Sequence, residues 1–390
     1  MPAAILFVLS LFPGFGLVTL QIGLVLMLVD LALKWRHIRI ENCTNLVLWP
    51  YILIAQFVLF FLINALIFEP WPGNRGHYQS IAIESWSATL LCLVFILIWL
   101  RVTPSASLKS AFLSWLPVGL LVVFAIASGL FMSGVQGTRI SIASPNPLFP
   151  PLWYLVLAML SFCWFPEMNQ RAQILRIVIF ICAGLMAVYG GARVALVCWL
   201  AAGVFLLGYL YVALPQKRGW VLAGAGLIGV ALAMIFIADA MAGGLLLTRF
   251  AEFTSGMSRE ELLRTFPRMT IWPAAAQVIS ENWVWGVGQV NERMAIQHVT
   301  EFEYWYRAHQ TYLSYLIAGG VFALISGLLL QLPVLVFLHR ANAMAMFPAF
   351  IGLGLVLTLN CLTDSVMQSA LSVQNYLVLT LFSFKAAGKL

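Results

Sequence analysis

Charge is what this sequence has least of. Only 9% of its 390 residues are Asp, Glu, Lys or Arg, while 62% are hydrophobic; soluble domains run near ~25% charged. A soluble fold of this make-up has no way to hide so much apolar surface, whereas a bilayer removes that limit. Lysine is scarce, with five in the chain, and aspartate scarcer still, at Asp30, Asp239 and Asp364. Six cysteines (Cys43, Cys92, Cys163, Cys182, Cys198, Cys361) lie in or beside apolar runs and none in the long polar stretch described below. That pattern excludes a disulfide framework or a zinc spacing there and reads as packing, since free Cys behaves as a small hydrophobe. The first apolar run lacks a basic leader and a small-residue cleavage site, so no cleaved signal is expected. The net charge of +7 is not gathered on one face, as a nucleic-acid binder requires, but falls in short tracts between apolar runs.

What is abundant is spanning sequence. A membrane helix needs ~20 apolar residues, and runs approaching that length occupy 46–68, 81–100, 111–132, 149–165, 174–190, 193–213, 220–238, 310–338, 343–361 and about 368–384. The run at 3–33 is too long for one span and is broken at Pro13-Gly14, so it counts as two, giving twelve; one tilted span, giving eleven, is the alternative. The expected fold is therefore all-α, a polytopic transmembrane bundle forming one integral membrane unit over residues 1–390. Basic residues near span ends favour the cytoplasm. Placing Lys34, Arg36 and Arg39 inside and alternating from there puts all five lysines inside, while the nine basic residues left outside are all arginines.

Six of those nine lie in one segment, 239–309, expected to be a large non-cytoplasmic loop. Eight acids share it, so it is not a diffuse basic patch, and any arginine that acts there acts as a placed group. A loop this long is usually functional or disordered, and its tryptophans and phenylalanines argue against disorder. Ser258-Arg259-Glu260-Glu261 has the form of a capping box opening a short helix. A second helix is expected over Arg268–Ile279, with Met269, Trp272 and Ala276 forming a stripe suited to the membrane surface. Gly286-Val287-Gly288 forms a turn, Asn291 caps a third helix, and an aromatic stretch carries His309 to the membrane–water boundary.

A metal site for a phosphate substrate needs carboxylates converging on the ion. Outside, aspartate occurs only at Asp239 and Asp364, and the Glu301-x-Glu303 pair lacks further ligands. Arginine instead binds phosphate directly, permanently charged and bidentate, and histidine is the usual general base near neutral pH. The inventory thus favours a diphosphate held by arginines without metal or other cofactor. Arg193 is the most telling of them, placed after Tyr189-Gly190-Gly191-Ala192 at the outer end of a span.

In order along the chain stand Gly190-Gly191-Ala192-Arg193, Arg268-x-x-x-Trp272, Trp285-Gly286-Val287-Gly288 and His309-Gln310-x-Tyr312-Leu313. This ordered set resembles the O-antigen ligase and polymerase superfamily of bacterial inner membranes. The family commonly has His-Asn where this chain has His309-Gln310. A ligase is the closer resemblance, because the family's polymerases often carry two large outer loops with Arg-x10-Gly patterns. None of the nine outer arginines is followed by Gly at the eleventh position. The resemblance implies a membrane-embedded, metal-independent, inverting glycosyltransferase of the bacterial inner membrane, working on its periplasmic side. It would move O-antigen from undecaprenyl diphosphate to lipid A–core oligosaccharide in lipopolysaccharide biosynthesis. Arg193 with Arg268 or Arg264 would hold the diphosphate, and His309 would take the proton of the attacking hydroxyl. Polymerase is the first alternative. A lipid-linked saccharide transporter is the second, although no internal repeat and no intramembrane charge cluster marks one.

Overall fold

The computed structural model describes residues 49–71, 77–133, 149–190, 192–241, 268–300, 307–340, 343–364, 367 and 370–387, with a few helical positions between 25 and 33. Most of the run at 3–33, Cys43, the capping box at Ser258, Arg264 and residues 301–306 lie outside them. Among the described residues there is no strand. Helices α1 (Trp49–Ile67) and α2 (His77–Val102) are followed by α3, continuous over Ser105–Ser133 with a π turn at Ala111–Trp115. Next come α4 (Phe149–Ser161), α5 (Gln170–Tyr189), α6 (Arg193–Ala213) and α7 (Arg218–Met241). Two shorter helices, α8 (Arg268–Asn282) and α9 (Glu292–Val299), precede α10 (Thr311–Arg340). Then α11 runs through Ala343–Phe350, a π turn Ile351–Val356 and Leu357–Thr363, and α12 is Ala370–Ala386. Among the described residues, seven helical stretches are long and apolar enough to cross a membrane.

The helices form where the sequence is continuously apolar, and polar residues mark their ends. Asn169 caps α5, its side-chain oxygen accepting from the Ala172 amide at 2.9 Å, which satisfies one of the amides a helix start leaves unpaired. Ile52, Leu59, Ile63 and Leu66 of α1 face outward, while Ile54, Phe57, Val58 and Phe61 pack inside. A helix apolar on both faces belongs in a lipid environment. The interior is built around Trp99, Trp153, Trp199, Tyr315 and Tyr376, all fully buried, and the five described cysteines are buried with them.

Contacts across the bundle sort its ends into two sets. At one end Lys109 pairs with Glu167 at 2.8 Å, the Trp164 amide donates to the Ala345 carbonyl at 2.9 Å, and Tyr209 stacks on Phe347. Buried Arg176 donates there to the carbonyls of Ala172, Ser161 and Leu113, the last within the π turn of α3. Arg101, Arg171, Arg218, Arg340 and Lys385 end or begin helices at this same end. The other end gathers the exit of α1, the starts of α2, α6 and α10, the close of α11, and the segment 268–300.

One feature has no counterpart in the hydropathy pattern. Helix α10 is not straight: Gly319 (φ −149, ψ 24) and Gly320 (φ 61, ψ −152) leave helical geometry. Residues nineteen apart on a straight helix stand ~28 Å apart, yet the Tyr312 hydroxyl lies 3.2 Å from Gln331 Oε1. The first part, 311–318, therefore turns back beside the second, and the remaining 321–340 is still ~30 Å long, enough to span. The bend frees backbone groups that the turn after α8 takes up. Val287 and Gly288 amides donate to the carbonyls of Ile317 and Ala318 at 2.7 and 2.9 Å, and the Val321 amide to that of Trp283 at 2.9 Å. Glycine is required at both faces of this joint. A Cβ on Gly286 would come within 2.5 Å of Ile317 O and Gly319 N, and one on Gly320 would run into the Val284 carbonyl.

Candidate active site

The segment 268–300 is anchored by side-chain amides that reach back to α1. Asn64 Nδ2 donates to the Ala318 carbonyl and its Oδ1 accepts from the Gln289 amide, both at 2.9 Å. Gln289 Oε1 accepts from the Trp86 indole at 3.0 Å. Asn291 does precede α9, but its side chain makes no capping bond. It is fully buried, donating to the Glu69 and Val287 carbonyls and accepting from the Trp71 amide. The expected cap is thus spent on holding the α1 exit loop. Helix α8 packs through Ile271, Ala274, Ala275 and Val278, whereas Trp272 and Ala276 of the expected stripe lie on its exposed side. Pro273 is accommodated inside this helix.

These anchors converge on the peptide before His309. The Ala308 carbonyl accepts from the Trp272 indole at 3.0 Å, and its amide donates to Glu292 Oε1 at 3.2 Å. The same carboxylate oxygen accepts from the Ser314 hydroxyl at 2.6 Å, and Glu292 is only 2% exposed. His309 follows with φ 49, in the left-handed region that non-glycine residues seldom occupy. Strain of this kind, about 1–3 kcal/mol, persists only where surroundings over-determine it. Gln310 then starts α10, its side-chain oxygen accepting from the Leu313 amide at 2.5 Å. The amide that replaces the family's asparagine therefore serves as a helix cap.

His309 Nδ1 faces Asp364 Oδ1 at 3.6 Å, with the imidazole about a third exposed and the carboxylate 8% exposed. Asp364 closes α11, and its carbonyl accepts from the Thr311 hydroxyl at 2.8 Å. A carboxylate facing Nδ1 can orient a histidine ring. The bend that folds 311–318 back alongside 321–340 holds His309 and Asp364 together at this end of the bundle.

Of the arginines, Arg268 opens α8 one turn before Trp272, on the side of that helix that reaches Ala308. Arg193 opens α6 at the same end. There α6 lies against α11, with Cys198 Sγ near the Val356 carbonyl at 3.7 Å. The structure describes the backbone of Arg193 and not its side chain, and Arg264 lies outside the described residues. Arg293 is half-buried on α9 and Arg307 exposed. Among the described residues no three His, Cys, Asp or Glu side chains stand close enough to share a metal ion. Glu292 and the pairing of Asp364 with His309 escaped sequence reading. Both are ordinary single acids until the α10 bend and the end of α11 bring them to residue 309.

A family model described as O-antigen ligase matches residues 178–328, from within α5 to the upper half of α10. That stretch belongs to the O-antigen ligase family. It contains Arg193, Arg264, Arg268 and His309, while Asp364 lies beyond it. The family comprises glycosyltransferase-like ligases and polymerases, which implies lipid-linked saccharide substrates. No curated protein matches the chain as a relative.

Proposed function

We propose that this protein is an O-antigen ligase of the bacterial inner membrane. It transfers O-antigen from undecaprenyl diphosphate to lipid A–core oligosaccharide at the periplasmic end of a bundle of about twelve spans. The observation that carries this reading is the His309–Asp364 pair at 3.6 Å, at the bundle end where the Arg193 and Arg268 helices begin. The basic tracts at the opposite end support placing that end in the cytoplasm, which leaves 239–309 as a periplasmic loop.

In the proposed reaction a hydroxyl of the acceptor sugar gives its proton to His309 Nε2 as its oxygen attacks the anomeric carbon. The bond from that carbon to the diphosphate oxygen breaks on the far side, inverting the configuration. The charge gathering on the leaving diphosphate is met by the guanidinium groups of Arg193 and Arg268, with Arg264 as a third candidate, and no metal is needed. Planar, permanently charged donors suit a dispersed phosphate charge and do their work as the transition state forms. Asp364 stabilises the imidazolium, as a buried carboxylate does for a general base. Both substrates are lipid-anchored, so a site at the membrane face lets each reach it without leaving the bilayer.

The test is transfer by purified protein from carrier-linked glycan to lipid A–core, read by the mobility of the capped core. Arg193→Ala, Arg268→Ala and His309→Ala should each abolish capping while the protein still inserts, and Arg193→Lys should be damaging because lysine lacks the bidentate fork. Lengthening of carrier-linked chains without capping would make the enzyme a polymerase, and full activity of His309→Ala would remove its assigned role.

A further inference from the structure

The bundle end opposite the candidate active site holds a cavity of about 220 Å³ between α5, α6 and α7. Its walls are apolar, with Phe162, Ile177, Phe180, Leu206 and Leu210 among them, and Ile174 at its side is 48% exposed. Polar groups occur only toward the helix ends, at Gln170 and Gln173, and the latter's amide is committed to the Phe165 carbonyl at 3.0 Å. On α7 the wall is Val221 and Gly224, and a Cβ added to the glycine would meet nothing within 4 Å. Glycine inside a helix costs about 1 kcal/mol relative to alanine and is usually offset by close packing. Here no described protein atom comes close.

Two cations flank this cavity. Arg171 follows Gln170 on α5, and Arg218 opens α7 with its guanidinium 4.5 Å above the Tyr211 ring. The nearby acid, Glu167, is taken by Lys109 at 2.8 Å. Among the described residues neither arginine has a carboxylate within ion-pair distance. An apolar slot open sideways, with cations at its helix-end rim, has the polarity of a phospholipid: chain inward, anionic headgroup at the membrane surface.

We propose that this cavity is a binding site for an anionic phospholipid of the leaflet at the basic end of the bundle. One acyl chain lies against Gly224 and Leu206, and the phosphate sits between Arg171 and Arg218. The site is independent of the transfer reaction proposed for the opposite end. Basic pockets between membrane helices on the cytoplasmic side commonly take anionic headgroups.

Native mass spectrometry of the purified full-length protein, titrated with dioleoylphosphatidylglycerol or dioleoylphosphatidylcholine, tests this. Two headgroup-facing arginines predict roughly a thirtyfold preference for the anionic lipid. Arg171→Gln with Arg218→Gln should abolish that preference, and Gly224→Leu should lower retention of both lipids by filling the slot. Thermal melting checks that each variant is folded; if Gly224→Leu is not, Ile174→Trp at the mouth replaces it. Equal retention of the two lipids by the wild type, or undiminished retention in the folded slot-filling variant, would overturn the proposal.

Discussion

Substituting Asp364 with asparagine keeps the size of the group facing His309 and removes its charge. If the carboxylate stabilises the imidazolium, transfer should slow by roughly a hundredfold or more with little change in carrier affinity, as losing a buried orienting acid does elsewhere. Unchanged turnover would show that the 3.6 Å contact is structural only. Glu292 separates positioning from chemistry in another way. Glutamine retains an oxygen to accept from the Ala308 amide and the Ser314 hydroxyl, so Glu292→Gln should stay active. Glu292→Ala strands two buried donors at ~1–3 kcal/mol each. It should both lower the melting temperature and impair transfer, and equal behaviour of the two variants would contradict this account. The residue types were legible in sequence at His309, Arg193 and Arg268, because a permanent charge or an imidazole is conspicuous in so apolar a chain. Glu292 and Asp364 were not, because an acid's role depends on what lies opposite it.

Among the elements, the joint between the 283–288 turn and the α10 bend carries the largest mechanical consequence. Gly286→Ala forces a side chain into φ 68 and within 2.5 Å of two backbone atoms of α10. We expect a loss of at least ~2 kcal/mol in stability from strain and clash, together with loss of transfer, measured by thermal melting and by assay. Gly208→Ala on α6 is the matched control, since its Cβ meets nothing within 4 Å. There, alanine should be neutral or stabilising by up to ~1 kcal/mol. Helix positions were readable from the sequence: ten apolar runs, from 46–68 onward, coincide with α1–α7 and α10–α12. The bend was not, because Gly319-Gly320 inside a long apolar run reads as continuing helix. Its cause is the tertiary pairing with Trp283 and Val287, which no local pattern announces. Asn291 was misjudged for a related reason: the residue type is right for a cap, but burial gave its amide a stronger claim.

For the whole molecule, the sorting of contacts into two ends fixes what must share a side of the membrane. Single cysteines at Gln170 and at Arg307, both exposed positions, should label from opposite faces in intact cells with an impermeant thiol reagent. The five described native cysteines are buried and stay silent. Labelling of both from the same face would break the assignment. The charge distribution carries the same expectation, because basic residues near span ends favour the cytoplasm. The fold-back of 311–318 was not foreshadowed, since it depends on contacts distant in sequence. The central claim is that guanidinium groups, and not a bound cation, carry the charge of the departing diphosphate. Its most direct test is the initial rate of glycan transfer by purified protein after extensive treatment with EDTA, compared with the same protein supplied with magnesium. The account predicts equal rates. A rate that disappears with the chelator and returns with magnesium would contradict it.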